Sequence, residues 1–181
     1  MTGSGKARSR RTRTEGRMTE PEEIKNQKRI KIVEIEIREL HKEDIEELAK
    51  IESEAFSMPW SKQDFEALLS HSYCFYLVAL ADGHIAGTCG YTNSCNEAAI
   101  DNVVVAEAYQ NHGIAQALLT ELIKRGEALQ VEAFTLEVRV SNAKAIHIYE
   151  KFGFRSEGIR PRFYEKPTED AMIMWRRKCG I

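Results

Sequence analysis

The sequence has few of the residues that build disulfide-stapled, metal-binding or membrane-spanning proteins. It has four cysteines and four prolines in 181 residues. No two cysteines form a CxxC pair, and none has histidines nearby at metal-ligand spacing, so neither a zinc site nor a redox motif is predicted for Cys74, Cys89, Cys95 and Cys179. Free thiols in a reducing compartment fit this pattern best.

Long apolar runs are also missing. No run approaches the roughly 18 residues of a membrane-spanning helix. The N-terminus carries charge but lacks the apolar stretch of a signal peptide. We therefore expect a cytoplasmic protein that contacts no membrane and needs no metal.

What is present is an ordinary globular composition with an uneven charge. Apolar residues make up 43% and charged residues 30% of the chain, and the net charge is −2. Residues 1–17 are nevertheless strongly basic and almost without apolar side chains, which predicts disorder because little surface can be buried. We predict a disordered basic extension over residues 1–31 and one domain over residues 32–181.

The basic extension has two readings. It could attach the protein to nucleic acid such as ribosomal RNA through its charge. It could instead be dispensable, or lie upstream of a true initiator at Met18. We favour the second reading, because a basic tail is a weak motif.

Regular structure is predicted from residue 32 onward. Apolar and charged residues alternate over 33–38, which is typical of a half-buried strand. A first helix is predicted over 41–55, where apolar residues recur at three- and four-residue spacing: Ile45, Leu48, Ile51 and Ala55. A second helix is expected after Ser61, which can cap it together with Asp64 in a capping box.

The remaining pattern predicts a mixed α/β fold. Strands at 75–80 and 85–91 flank Asp82-Gly83, a pair that favours a tight hairpin. Later strands are predicted at 98–105, 134–138 and 171–175, the last among short strands, with helices after Gly113 and over 143–152, the latter ended by Gly153. This order indicates a mixed, mostly antiparallel sheet flanked by helices on both faces.

The junction from residue 103 to residue 116 can bind phosphate. It runs from a strand through a short loop into a helix, whose first backbone N–H groups and dipole favour an anion. Gly113 lets such a group approach the backbone closely. An ordinary capped helix has a similar start, so this signal alone leaves both readings open.

The motif Gln110-x-x-Gly113-x-Ala115 resembles the Gln/Arg-x-x-Gly-x-Gly/Ala loop of the GNAT N-acetyltransferases. The resemblance implies acetyl-CoA as co-substrate, with its pyrophosphate on the loop and its pantetheine arm along the preceding strand. The cofactor-binding residues it implies are Val103, Val104, Val105, Gln110, Asn111, His112, Gly113, Ile114, Ala115 and Gln116. Asn111-His112 departs from the family's usual basic residue here, so some phosphate-neutralising charge is expected to be missing.

Residues 136–154 narrow the family further. They closely resemble the ribosomal-protein-alanine N-acetyltransferases, the RimI group, and the likeness extends over about residues 35–175. Further matching segments are Pro59-Trp60-Ser61, Arg160, Tyr164 and Glu169-Asp170-Ala171. The resemblance implies that the acceptor is a protein N-terminus, that of a small-subunit ribosomal protein beginning with alanine.

Acetyl transfer to an amine needs a base and an acid. A terminal amine has a pKa of about 8, so a carboxylate can take its proton directly or through water. Glu137 is the candidate base; the alternative is a solvated glutamate paired with Arg139. Tyr149 is the candidate acid for the leaving thiolate, and the alternative is a core tyrosine. By the resemblance Asn142 contacts the cofactor, and it can also cap its helix.

The acceptor is expected between the loop at Trp60 and the loop holding Arg160, Tyr164 and Glu169. For Trp60 the alternative is a packing role between the first two helices. Other functions remain open: an acetyltransferase for a small amine or a lysine side chain, or a non-catalytic binding module on the ribosome. We expect direct transfer, since no cysteine neighbours Glu137 in the sequence.

Overall fold

The computed structural model describes residues 34–178, which form a seven-stranded sheet and its helices. The strands are β1 (Ile35–Glu39), β2 (Cys74–Ala81), β3 (His84–Ser94), β4 (Glu97–Val105), β5 (Ala133–Arg139), β6 (Arg155–Glu165) and β7 (Thr168–Arg177). The helices are α1 (Ile45–Ala55), α2 (Lys62–Leu69), α3 (Ile114–Ala128) and α4 (Ala143–Lys151). The predicted disordered extension over residues 1–31, its nucleic-acid reading and Cys179 lie outside the described residues.

The sheet is mixed and mostly antiparallel, as predicted. Its strand order is β1-β2-β3-β4-β5-β7-β6. Only β4 and β5 pair in parallel, and α3 connects them. The last strand, β7, inserts between β5 and β6. The sheet is therefore completed by its final strand, which pairs with β6, its neighbour in the chain, and with β5, which precedes α4.

Buried side chains form one cluster on each face of the sheet. In β2, Leu77 and Ala79 join the cluster under α3 and α4, while Tyr76 and Val78 join the cluster under α1 and α2. This alternation follows from the two-residue period of a strand. We call the two sides the α3–α4 face and the α1–α2 face. The prediction of helices on both faces is confirmed.

The predicted local signals are present. The Ser61 hydroxyl accepts from the Asp64 backbone N–H at 3.3 Å, and the Asp64 carboxylate accepts from the Ser61 N–H at 2.7 Å, which closes the capping box. Asp82 and Gly83 have positive φ angles of 49° and 82° in the β2–β3 turn. Short-range chemistry therefore fixes these boundaries in the way that the sequence predicts.

Two predictions on the ends of elements are wrong. The final strands are long rather than short: β6 has 11 residues and β7 has 10. Most of β6 is exposed, so it has no apolar alternation from which its length could be read. In α1 the predicted apolar stripe ends before Ala55, which is exposed. Glu52, which was not predicted to be buried, is only 1% exposed.

In the part of the chain that the structure describes, no helix is both long and apolar enough to cross a bilayer. The same residues hold no group of three or more His, Cys, Asp or Glu side chains placed to bind a metal ion. Cys74, Cys89 and Cys95 are free thiols.

Candidate active site

The two parallel strands separate after a short stretch of pairing. The pairs Glu97–Ala133, Ala98–Phe134 and Ala99–Thr135 are the full β4–β5 register. Residues 100–105 of β4 and 136–139 of β5 then continue without pairing to each other. Their separation leaves a gap in the middle of the sheet, which we call the β4–β5 opening. Backbone groups that would otherwise bond across the sheet are available there.

The loop after β4 presents backbone donors at the start of α3. Gly113 precedes the helix with φ +82°, a left-handed conformation that favours glycine, and no other residue lies close to the position of a Cβ there. Among residues 34–178, no side chain caps α3. The first N–H groups of the helix are therefore free to bind an anion.

Lys144 supplies a cation that the sequence reasoning missed. Its Nζ donates to Oδ1 of Asn111 at 2.7 Å, so the first turn of α4 contacts the phosphate-binding loop. A basic side chain therefore lies beside Asn111-His112, where the sequence predicted a shortage of basic charge, and it comes from a residue 33 positions away. The lysine reaches the loop because α4 lies over the same face of the sheet as α3, and no local motif in the sequence indicates this.

The other cofactor residues predicted from the sequence lie along the same path. Val104 is buried on the α1–α2 face, while Val103 and Val105 pack on the α3–α4 face. The Gln110 side chain donates to the Val105 carbonyl at 3.2 Å and braces the loop. Asn142 accepts a hydrogen bond from the Ala145 N–H at 3.1 Å and so caps α4, the second role predicted for it from the sequence. Ile114 is buried, Ala115 is half-buried and Gln116 is exposed at the start of α3.

Glu137 lies on β5 beside the opening. Leu136 and Val138 are buried on the α3–α4 face, so Glu137 points to the α1–α2 face, as the strand period predicts. Its Oε1 accepts from Arg160 at 3.1 Å, and the Tyr164 hydroxyl donates to its backbone carbonyl at 3.2 Å. The alternative of a pair with Arg139 is wrong, since Arg160 takes that place.

Tyr149 lies on the other face of the sheet. Its ring packs against Phe154 with centroids 5.8 Å apart, in the cluster under α3 and α4. Burial raises the pKa of its hydroxyl above the usual value, and Cys89 and Tyr164 are close enough to contribute to the shift. The residue is half-buried rather than fully enclosed. Glu137 and Tyr149 are therefore presented from opposite faces of the sheet near one opening.

The second predicted acceptor loop is wrong as a loop, because Arg160 and Tyr164 lie on β6 and Glu169 lies on β7. The turn between these two strands nevertheless contacts the loop at Trp60. Ser57, in the α1–α2 loop, donates through its hydroxyl to the Lys166 carbonyl in the β6–β7 turn. Arg139 donates to the Lys166 and Pro167 carbonyls and pairs with Glu169 at 3.0 Å. The pKa of Glu169 is lowered first by hydrogen bonds from the Ser141 side chain and backbone N–H, and then by the hydrogen bond and positive charge of Arg139, against a smaller opposing effect of burial. Tyr164 lies under the Arg139 guanidinium, 4.1 Å from ring centroid to Cζ.

Trp60 has the packing role that was its alternative reading. Its ring lies 5.8 Å from that of Phe65 on α2 and 5.9 Å from that of Tyr76 on β2. Its backbone N–H donates to the buried carboxyl of Glu52 on α1. Trp60 therefore joins both helices to the sheet at the base of the acceptor loop.

The buried carboxyl of Glu52 was also missed. It accepts from Asn102 Nδ2 at 2.6 Å and from the Trp60 N–H, yet burial dominates and raises its pKa to about 7. In the sequence, Glu52 looks like a polar residue at the edge of the apolar stripe of α1. Only its hydrogen bond with Asn102 on β4 explains why it is buried.

Comparison with known proteins decides the family. The model of the Acetyltransferase (GNAT) family matches residues 45–154, which hold the loop, Glu137 and Tyr149. The chain belongs to this family. GNAT enzymes use acetyl-CoA, and the backbone donors at α3 and the β4–β5 opening suit its pyrophosphate and its extended arm.

Relatives within the GNAT family include named peptide-modifying enzymes. The chain is 36% identical over 140 residues to a putative [ribosomal protein bS18]-alanine N-acetyltransferase of Bacillus subtilis, covering 77% of this chain and 93% of the relative. It is 35% identical over 142 residues to the [ribosomal protein bS18]-alanine N-acetyltransferase of Escherichia coli K12, covering 76% and 94%. The crystal structure of the ribosomal-protein-S18-alanine N-acetyltransferase from Escherichia coli superposes with a TM-score of 0.75 at 32% identity, covering 81% of this chain and 97% of that one. The resemblance to the RimI group is confirmed.

Proposed function

We propose that this GNAT acetyltransferase transfers acetyl from acetyl-CoA to the N-terminal amine of a protein, with the N-terminal alanine of a small-subunit ribosomal protein as first candidate. The observation that carries the proposal is the 35–36% identity to enzymes named for that reaction over 93–94% of their own lengths. The small-amine and lysine alternatives have no comparable support. Ribosomal proteins are made in the cytoplasm, which is the location we propose.

The loop at Gly113 and the β4–β5 opening form the proposed cofactor site. The free N–H groups of Ile114, Ala115 and Gln116 bind the pyrophosphate, and Lys144 adds the positive charge. The stretch of β4 that does not pair with β5, residues 100–105, forms main-chain hydrogen bonds with the pantetheine arm. Bound there, acetyl-CoA supplies an activated acetyl group at the opening.

Glu137 acts as the base in this proposal. Its Oε1 is held by Arg160, which fixes the carboxylate at the mouth of the opening on the α1–α2 face. An acceptor ammonium entering from that face gives up its proton to Glu137, directly or through a water molecule. The freed amine nitrogen then bonds to the acetyl carbon as the carbon–sulfur bond breaks, and the nitrogen loses its remaining extra proton to solvent water to give the amide.

Tyr149 acts as the acid. Burial raises its pKa, so its hydroxyl keeps a proton to donate to the departing sulfur, which resembles a thiolate of pKa about 8.5. Cys89 is the thiol near this tyrosine, but it is fully buried and burial raises its pKa as well. A neutral, enclosed thiol is a poor nucleophile, which favours direct transfer between the two substrates.

The acceptor peptide is proposed to bind where the α1–α2 loop meets the β6–β7 turn. Trp60 and Tyr164 supply aromatic surface near a small first side chain, and Arg160 and Glu169 supply charge along the peptide. In this proposal the basic extension over residues 1–31 precedes a catalytic domain of residues 32–181 and takes no part in catalysis.

Initial rates with a panel of acceptors test the function. The panel contains free peptides beginning with alanine, serine or methionine, an N-blocked lysine peptide and spermidine. We expect the alanine peptide to react fastest and its N-blocked form not at all. Acetylation of spermidine or of the blocked lysine peptide alone would overturn the proposal in favour of another amine. Tight acetyl-CoA binding without turnover of any acceptor would favour the binding-module alternative.

A further inference from the structure

A second carboxylate, that of Asp101, lies on the β4 side of the opening. The β3–β4 register shifts between Gly90 and Tyr91, so that Gly90 pairs with Asn102 and Tyr91 pairs with Ile100. Asp101 is the extra residue of the resulting bulge, opposite no residue of β3. Bulges redirect side chains and are frequent beside active sites.

The bulge turns two consecutive side chains to the same face. Ile100 and Val103 pack on the α3–α4 face, whereas Asp101 bonds to Tyr76 and Asn102 bonds to Glu52, both of which belong to the α1–α2 side. A regular strand would have placed Asp101 and Asn102 on opposite faces. Because Glu137 also points to the α1–α2 face, the two carboxylates lie on the same side of the opening, one on each strand.

Asp101 is held by two hydroxyl groups that use only one of its oxygens. Oδ2 accepts from the Tyr76 hydroxyl at 2.7 Å and from Thr92 Oγ1 at 2.9 Å. Oδ1 accepts no hydrogen bond from any residue in the range 34–178. The carboxylate is thus fixed in place with one oxygen left for a ligand, and the residue is exposed at the opening.

The surroundings are built around this contact. Gly90 leaves room for the Tyr76 ring, since a Cβ at residue 90 would lie 2.3–2.4 Å from ring atoms. Trp60 packs on the other side of that ring. The acceptor loop, Tyr76 and Asp101 therefore form one continuous chain of contacts that ends at the opening.

Asp101 and Glu137 also sense each other's charge. The pKa of Asp101 is raised, first by burial of its carboxyl group and further by the negative charge of Glu137, against the lowering effect of its two hydrogen bonds. Two neighbouring carboxylates are most stable with a cation between them. The substrate class that brings a cation to this place is an amine in its ammonium form.

We propose that Asp101 binds the ammonium group of the acceptor across the opening from Glu137, and so selects a free α-amine and positions it for deprotonation. This inference rests on the proposed function. Oδ1 of Asp101 accepts from the ammonium, while Glu137 takes the proton that leaves. Asp101 is a positioning residue whose own protonation does not change during transfer.

A binding comparison isolates this role. In the presence of CoA, which allows binding without turnover, two peptides are titrated at pH 7: one beginning with alanine, and the same peptide with a propionyl group in place of alanyl. A charge-assisted hydrogen bond is worth about 1.5–3 kcal/mol, so wild type should prefer the amine peptide by roughly 10- to 100-fold. In Asp101→Asn the preference should fall to about threefold or less.

Matched variants separate binding from structure. Glu97→Gln removes an exposed carboxylate from the paired end of the same strand, outside the opening, so its preference should remain close to that of wild type. In turnover, Asp101→Asn should raise the peptide KM about tenfold and change kcat by less than about threefold. Should the asparagine variant melt below the assay temperature, Asp101→Ser removes the same charge.

The outcomes distinguish the inference from the function on which it rests. An Asp101→Asn enzyme that keeps the full preference for the amine peptide would overturn the inference, because Glu137 alone would then account for ammonium binding. A wild-type enzyme that acetylates no peptide terminus would instead overturn the proposed function. Turnover by wild type together with a lost preference in the variant supports both.

Discussion

The proposed cofactor side and the proposed acceptor side of the opening use different groups: the first uses mainly the backbone, and the second uses side chains. At the loop before α3, the proposed anion site consists mainly of backbone N–H groups, with Gly113 in its left-handed conformation and Lys144 as the added cation. On the acceptor side, side chains make the contacts: Arg160 with Glu137, and Arg139 with Glu169.

The difference has a consequence for substitution. A backbone donor survives a change of side chain, whereas a carboxylate removed from a side-chain network leaves its partners without a counter-charge. We therefore expect single substitutions to weaken acetyl-CoA binding mildly and to affect acceptor chemistry strongly. Four substitutions test this contrast, beginning with the one that should slow the enzyme most.

Glu137→Gln should lower kcat the most. Loss of a general base typically costs about 10²- to 10⁴-fold in rate. The KM for acetyl-CoA should change by less than about threefold, because Glu137 points away from the face that holds the loop and α3. Steady-state kinetics with the alanine peptide measure both constants. Glu150→Gln, at an exposed position on α4, is the matched control and should behave as wild type. A Glu137→Gln enzyme as fast as wild type would remove the base from the proposal.

Tyr149→Phe should lower kcat by roughly 10- to 100-fold through loss of the proton donor. The ring contact with Phe154 remains, so the melting temperature should stay close to that of wild type. Because burial raises the pKa of Tyr149, its deprotonation should not appear in the rate profile up to pH 9. A fall in wild-type kcat below pH 9 that is absent from Tyr149→Phe would contradict the raised pKa. A Tyr149→Phe enzyme as fast as wild type would remove the acid from the proposal.

Glu52→Gln should change stability in a pH-dependent way. Burial raises the pKa of Glu52 from 4.5 to about 7, so the folded protein binds this proton more tightly than the unfolded chain. The stabilisation is fully present below about pH 4.5 and is lost as the pH rises to about 7; it is on the order of 3 kcal/mol.

Glutamine keeps the hydrogen-bond acceptor and removes the charge. Glu52→Gln should therefore unfold nearly like wild type at pH 5 and be more stable by on the order of 3 kcal/mol at pH 8. Denaturant unfolding at the two pH values measures the difference. Equal stabilities at pH 8 would show that Glu52 is ionised at no cost, and that the acceptor loop is anchored differently from the description above.

Lys144→Ala should have the smallest effect. We expect about a fivefold weaker Kd for CoA at low salt, since a single exposed charge contributes about 1 kcal/mol. The difference should shrink at high ionic strength, where exposed charges are screened. Lys124→Ala, on the exposed side of α3, is the control. A loss beyond about a hundredfold would break the contrast between the two sides, because side-chain charge would then dominate the cofactor site too.

Prediction from the sequence succeeded where neighbours in the chain determine the structure. The capping box at Ser61, the hairpin at Asp82-Gly83 and the alternation around Glu137 are short-range features, and each is confirmed. The length of β6 could not be predicted, because most of its residues are exposed on both faces and its pairing partner β7 lies beyond a turn.

The residues of the candidate site show the same distinction between features set by neighbours in the chain and features set by distant residues. The resemblance named the loop, Glu137 and Tyr149, and the structure places all of them around one opening. It gave no indication of Asp101 or Glu52. Each has a sequence context of an ordinary strand or helix residue, and each acquires its role from a bulge or a buried partner.

The fold class, the family and the motif residues follow from the sequence alone, because periodicity, capping and the loop before α3 depend on neighbouring residues. Which charges meet depends on the folded chain. Arg160 rather than Arg139 pairs with Glu137, Lys144 reaches Asn111 in the loop before α3, and Asp101 turns toward the α1–α2 face. Electrostatic pairing acts over a few ångströms in space, and the chain's order does not specify which residues come that close.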